Sequence, residues 1–229
     1  MDIKVIAFDA DDTLWVNEPY FLETESKFCR LMENYLPQHQ VAKELFKTEI
    51  DNLSLYGYGI KGYILSMIET AIRISGNSMS VEGVSKIMDY GKEMLAKPIE
   101  LLDEVEDTLK ALHGKYRLVV ATKGDLKDQH RKLHDSGLGH YFHHIEVMSD
   151  KQQIDYIKMI NRLDIKPEEL FMVGNSMKSD VIPVLEIGGH ACHIPFHTTW
   201  AHEVVEHTVE HENFKEANKI SEILPLLLS

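Results

Sequence analysis

The sequence predicts an α/β fold, a doubly wound parallel sheet carrying an inserted helical domain, and three observations point to it. Five short apolar runs rich in β-branched residues recur along the chain, at 4–8, 116–121, 145–148, 170–173 and 191–194. Runs of this kind fit strands buried on both faces. Helical patterns lie between them, and strands alternating with helices build right-handed βαβ units on a parallel sheet. The first two runs are about a hundred residues apart, far more than a crossover needs, so something is inserted there.

Taken in order, the first strand (4–8) ends abruptly in Asp9-Ala10-Asp11-Asp12. Residues 17–96 read as helical: Phe28, Leu31, Met32 and Tyr35 share one face, as do Ile64, Met67, Ile68, Ala71 and Ile72. The glycine-rich stretch 56–63 interrupts these helices, as a substrate-specificity loop or as a plain inter-helix turn. Lys97-Pro98 marks the return, which makes 1–16 and 97–229 the core and 17–96 the insertion. The clearest core helix starts near Lys151, where Ile154, Ile157 and Ile160 predict an apolar stripe away from Lys158, Asn161 and Arg162. A short amphipathic helix over 220–228 closes the chain.

Composition narrows the function. A formal net charge of −13, spread along all 229 residues, repels nucleic-acid backbones and anionic membranes. A phosphate ligand would then need local positive charge or a metal. Cys29 and Cys192 are far apart in apolar surroundings, which suggests neither a disulfide framework nor a cysteine metal site. The N-terminus runs directly into a strand pattern, and no window approaches the roughly 18 apolar residues of a membrane span. The expected location is cytoplasmic.

Four segments at strand ends are placed to converge on one crevice, where ligands of such sheets sit. In the first, Asp9 and Asp11 are carboxylates at i and i+2, whose mutual repulsion is costly unless a cation or shared proton relieves it. In the second, Thr122 offers a hydroxyl and the turn after it backbone N–H groups, both suited to phosphate oxygens. The third, Ser149-Asp150-Lys151, puts a cation at the start of a helix. In the fourth, Gly174 permits a tight turn, while Asn175 and Asp180 supply oxygen ligands for a hard cation.

Asp9-Ala10-Asp11-Asp12-Thr13-Leu14, Thr122, Lys151 and Gly174-Asn175-Ser176-Met177-Lys178-Ser179-Asp180 resemble the four ordered motifs of the haloacid dehalogenase superfamily, most closely its phosphatase branch. The insertion resembles that superfamily's C1 helical cap, and the core its Rossmann-like domain. The resemblance implies that Asp9 attacks phosphorus to form an aspartyl-phosphate, with Asp11 as the acid and then the base. It implies Mg²⁺ held by Asp9, the Asp11 carbonyl and either Asn175 or Asp180, with Thr122 and Lys151 on the transferring oxygens. Many relatives carry aspartate where this chain has Asn175.

Simpler readings stand beside these. Asp9 and Asp11 could merely cap a helix; Asp12 suits capping as well as substrate contact, and Thr13 suits fixing the loop. Lys158 competes with Lys151, and Lys123 reaches either a phosphate or solvent. His193 and His197 are spaced i, i+4, but Pro195 breaks any helix that would align them on zinc. The expected activity is hydrolysis of a small phosphorylated metabolite. A 2-haloacid dehalogenase using the same aspartate, and a silent regulatory protein on the same scaffold, are the alternatives. Asp11 argues against the first, since halide needs no protonation, and the presence of both aspartates argues against the second.

Overall fold

The computed structural model describes residues 2–228. Its sheet has six strands: β1 (Val5–Phe8), β2 (Arg117–Lys123), β3 (His144–Met148), β4 (Leu170–Gly174), β5 (His190–His193) and β6 (Phe214–Glu216). All pairings are parallel, in the order β3-β2-β1-β4-β5-β6. β1 is central, with Phe8 opposite Val120 of β2 on one side and Val173 of β4 on the other. The winding direction reverses at β1, so its carboxyl end is the switch point of the sheet.

Alternation along β1 divides the core into two layers, because successive side chains of a strand point to opposite faces. Val5 and Ala7 pack with Tyr156, Met159, Ile160 and Leu163 of α7 (Gln153–Leu163). Ile6 and Phe8 pack with Val105, Leu109 and Leu112 of α5 (Val105–Leu112), and with Ile220 and Ile223 near the C-terminus. Both layers exclude water from β1, which is why it reads as a continuous apolar run. Further helices flank the sheet, α6 (Leu126–Asp135) and the short α8 (Ile182–Glu186) and α9 (Leu224–Leu227).

Several expectations change. The buried stripe of α7 is Tyr156, Met159, Ile160 and Leu163, whereas Ile154 and Ile157 are 53% and 37% exposed. The sheet takes the face that carries the larger aromatic and thioether side chains, and of the three isoleucines only Ile160 lies on it. The closing segment is a 3₁₀ turn, Ile220–Ile223, followed by one turn of α-helix rather than a single helix. β6 has no counterpart among the expected strands, because Phe-Lys-Glu is too short and too polar to signal one.

A second compact unit comprises Pro19–Pro98 with Gly124–Asp128. Its helices are α1 (Glu18–Leu31), α2 (Gln38–Tyr56), α3 (Ile60–Ile74) and α4 (Val81–Leu95), around a core that includes Phe28, Met32, Leu45, Met67 and Ile87. Tyr35 and Ile72, expected on the buried faces, are exposed. The break between α2 and α3 comes from Gly57 (φ 70°) and Gly59 (φ 111°), conformations that side chains with a Cβ resist. No helix among the described residues is long and apolar enough to cross a membrane.

Candidate active site

Asp9 follows β1 and stays tied to the sheet, its N–H donating to the Val173 carbonyl (2.9 Å). The chain then turns sharply: the Ala10 carbonyl accepts from the N–H groups of Thr13 (3.3 Å) and Leu14 (2.8 Å). Asp12 adopts a left-handed φ of 63°. Its carboxylate accepts from the backbone N–H groups of Asn17 (2.8 Å) and Glu18 (2.9 Å), satisfying donors at the start of α1 from outside the helix. Burial pushes the Asp12 carboxyl up to about 7 against those backbone bonds.

The Asp9 carboxylate is buried, and each oxygen has a donor. Lys151 Nζ donates to Oδ1, and Thr13 Oγ1 lies 3.2 Å from Oδ2. Lys151 comes from the loop after β3 and is itself buried; it also donates to Asp180 Oδ1 at 2.6 Å. The second oxygen of Asp180 accepts from the Ser176 N–H (3.0 Å). One ammonium therefore serves two buried carboxylates, leaving one negative charge in excess when both are ionised. Burial is the largest influence on Asp9 and pushes its carboxyl up to about 7, with Lys151 opposing and Asp180 adding to the rise. Burial pulls the Lys151 ammonium down, but Asp180 and Asp9 outweigh it and hold the lysine charged.

Asn175 joins this group through Thr13, whose hydroxyl lies 3.3 Å from the amide oxygen and can donate to it or to Asp9. Gly174 is required before it: a Cβ there would fall 2.3 Å from Asp180 Oδ2. One turn of π-helix, Met177–Val181, brings Asp180 back toward the strand end, a local form that often accompanies functional sites.

Asp11 is turned elsewhere. Its Oδ1 accepts from Trp15 Nε1 (2.7 Å) and Lys132 Nζ (2.9 Å), and its Oδ2 from Gln129 Nε2 (2.9 Å) and Lys132 Nζ (3.1 Å). Lys132 also donates to Asn17 Oδ1 (2.8 Å), and Gln129 to the Lys123 carbonyl (2.8 Å). Thr122 is buried near the end of β2, with its hydroxyl 3.2 Å from the Lys123 carbonyl. Lys158 is on the exposed side of α7, 3.4 Å from Asp155.

The structure thus gathers Asp9, Lys151, Asn175 and Asp180, and gives Asp11 its own set of donors. Sequence reasoning missed Trp15, Gln129, Lys132 and Glu203. The spacing of Gln129 and Lys132, i and i+3 on α6, was a readable sign of one shared face, but nothing marked that face as turned inward. Among the described residues no three carboxylate, imidazole or thiol side chains converge as a metal cluster, and the histidine-rich segment forms none.

Comparison with known proteins identifies the family. A solved haloacid dehalogenase-like family hydrolase from Xanthomonas campestris is 33% identical, with a TM-score of 0.88 over 99% of this chain and 91% of that one. The 5-amino-6-(5-phospho-D-ribitylamino)uracil phosphatase of Escherichia coli is 25% identical over 209 residues, 84% of this chain and 83% of the relative. The glyceraldehyde 3-phosphate phosphatase of Methanopyrus kandleri is 24% identical over 186 residues, 78% of each chain. The family model for haloacid dehalogenase-like hydrolases matches residues 3–188, a span that carries Asp9, Thr122, Lys151 and Asp180 in order, and the chain belongs to that family.

Proposed function

We propose that this hydrolase is a Mg²⁺-dependent phosphomonoesterase that acts on a small phosphorylated metabolite through an aspartyl-phosphate on Asp9. The observation that carries the reading is the buried Asp9 carboxylate at the switch point of the sheet, bridged by Lys151 to Asp180, with a second carboxylate two residues on. Asp9 Oδ attacks phosphorus, and the P–O bond to the leaving group breaks as the Asp9–P bond forms. Asp11 delivers a proton to the leaving oxygen; ionised, it then takes one from the water that attacks the aspartyl-phosphate and returns Asp9. Lys151 and Thr122 hold the transferring oxygens. The two phosphatase relatives, named for small phosphate esters, support this substrate class.

The donor set suits a hard cation. Asp9, the Asp11 carbonyl and the Asn175 amide offer oxygens only, and the negative excess of the Asp9–Lys151–Asp180 cluster favours positive charge beside it. Asp180 has both oxygens engaged, by Lys151 and the Ser176 N–H. The one Thr13 hydroxyl proton can serve either Asp9 Oδ2 or the Asn175 amide oxygen but not both, so this pair keeps an open oxygen; Asn175 is taken as the fourth-motif residue for the metal, and Asp180 anchors the lysine. When bound, Mg²⁺ supplies charge neutralisation between nucleophile and phosphoryl oxygens. The helical insertion acts as a C1 cap and selects among small esters.

The test is hydrolysis of a panel of phosphorylated metabolites with Mg²⁺ and with chelator, in the wild type and in Asp9→Asn. Turnover that requires Mg²⁺ and is lost in the variant supports the reading. Turnover surviving both sinks it, and halide release from a 2-haloacid without phosphatase activity assigns a dehalogenase instead.

A further inference from the structure

Glu203 lies beyond the family match, which ends at residue 188, yet its carboxylate is drawn against the loop that bears Asn175 and Asp180. Oε2 accepts from Ser176 Oγ and from Ser179 Oγ (2.5 Å), and Oε1 accepts from Lys123 Nζ (2.6 Å). The side chains of Glu203 and Lys123 are only 11% and 14% exposed. A carboxylate removed that far from water persists where donors replace the lost hydration. Here two hydroxyls and an ammonium do so. Burial works to raise the Glu203 carboxyl, but Lys123 and the two serines outweigh it and bring it down to about 2.

Each of these contacts leads back to the reacting centre. Ser176 Oγ accepts from the Ser179 N–H (3.0 Å), closing the turn that Glu203 grips from outside. The Ser176 N–H in turn holds Asp180, and Asp180 holds Lys151 against Asp9. Lys123 follows Thr122 in β2 and donates to Ser179 Oγ as well (2.9 Å). Glu203 is therefore the point at which the fourth-motif loop and the end of β2 are pinned together.

We infer that Glu203 is a positioning residue: it fixes the loop 175–180 for cation binding and balances the charge of Lys123 beside the site. The inference rests on the reading of Asn175 as a metal partner. Partners one step removed from metal ligands commonly change metal affinity by roughly 10–100-fold, and an unbalanced ammonium near a cation site acts in the same direction. Glu203→Gln retains the shape and an oxygen for the serines but loses the negative charge, so it isolates the electrostatic part.

The test is calorimetric titration of the full-length chain with Mg²⁺ alone, without substrate. Glu203→Gln is expected to weaken Mg²⁺ binding about 10-fold or more and to shift the Mg²⁺ dependence of turnover more than kcat at saturating metal. Adding Lys123→Met to it should recover part of the affinity, since the cation that Glu203 balanced is gone. Glu206→Gln, an exposed change on the same segment, should bind Mg²⁺ as the wild type does. Should Glu203→Gln fail to fold, Ser179→Ala removes one donor to the same carboxylate and is expected to weaken binding to a smaller degree. Unchanged Mg²⁺ affinity in Glu203→Gln, or in Ser179→Ala if that is the variant that folds, overturns the inference while leaving the role of Asp9 standing. A wild type that binds no Mg²⁺ overturns both.

Discussion

Asp9 and Asp11 are two residues apart and each meets a lysine, yet they occupy different surroundings. Asp9 shares Lys151 with a second carboxylate, Asp180, in a setting closed to water, so that negative charge exceeds positive. Asp11 is more open, 23% exposed at its side chain, and has Lys132 together with neutral donors from Trp15 and Gln129. The difference matches the two tasks proposed for them. A crowded, partly unbalanced carboxylate gains from a cation or phosphorus centre arriving beside it. A carboxylate whose contacts are all donors is posed as an acceptor, the form that takes a proton from water; to carry a proton itself it has to release one of those donors.

The strongest way to break this contrast is to remove each carboxylate. Asp9→Asn is expected to lower kcat by about 10⁴-fold or more for every substrate, since it removes the proposed nucleophile. Asp11→Asn should cost about 10²–10⁴-fold with poor leaving groups and far less with a nitrophenyl ester, whose leaving oxygen needs no proton. Equal losses across both esters would refute the division of labour.

Removing the lysines tests the same contrast through stability. Lys151→Met leaves two carboxylates buried without their partner and should destabilise by about 3–5 kcal/mol in chemical denaturation. Lys132→Met, which leaves Asp11 its indole and amide donors and some access to water, should cost roughly 1–2 kcal/mol. A reversed ranking would mean that the surroundings of Asp9 are less closed than described.

Acid titration gives a smaller effect that sharpens the picture around the fourth motif. Glu203 is lowered from an ordinary 4.5 to about 2 in the folded chain. The unfolded chain therefore binds the extra proton between those values. Its stabilisation is fully present above pH 4.5 and is lost as pH falls toward 2, by roughly 3 kcal/mol at most. Glu203→Gln should flatten that part of the denaturation profile relative to wild type; an unchanged acid limb would place the carboxylate in a more solvated setting.

The sequence by itself determined the parallel sheet, because strands buried on both faces must be apolar, as β1 and β4 are along their whole length and β2 is along its middle. It also determined that Asp9 and Asp11 stand at the end of the first strand, since a strand's end is where the apolar run stops. Tertiary structure alone decided the rest. Lys151 and Lys158 look alike on paper, and only packing shows one buried between two carboxylates and the other in solvent. The face of α7 was misjudged because Ile154–Ile157 and Tyr156–Met159–Ile160–Leu163 are both helical stripes, and the sheet selects between them. Gln129 and Lys132 signalled only a shared helix face and Glu203 nothing local, as each acquires its role from a carboxylate or hydroxyl group dozens of residues away. Local periodicity records which residues leave water, whereas the pairing of charges inside the site depends on contacts between distant segments that no single stretch of sequence encodes.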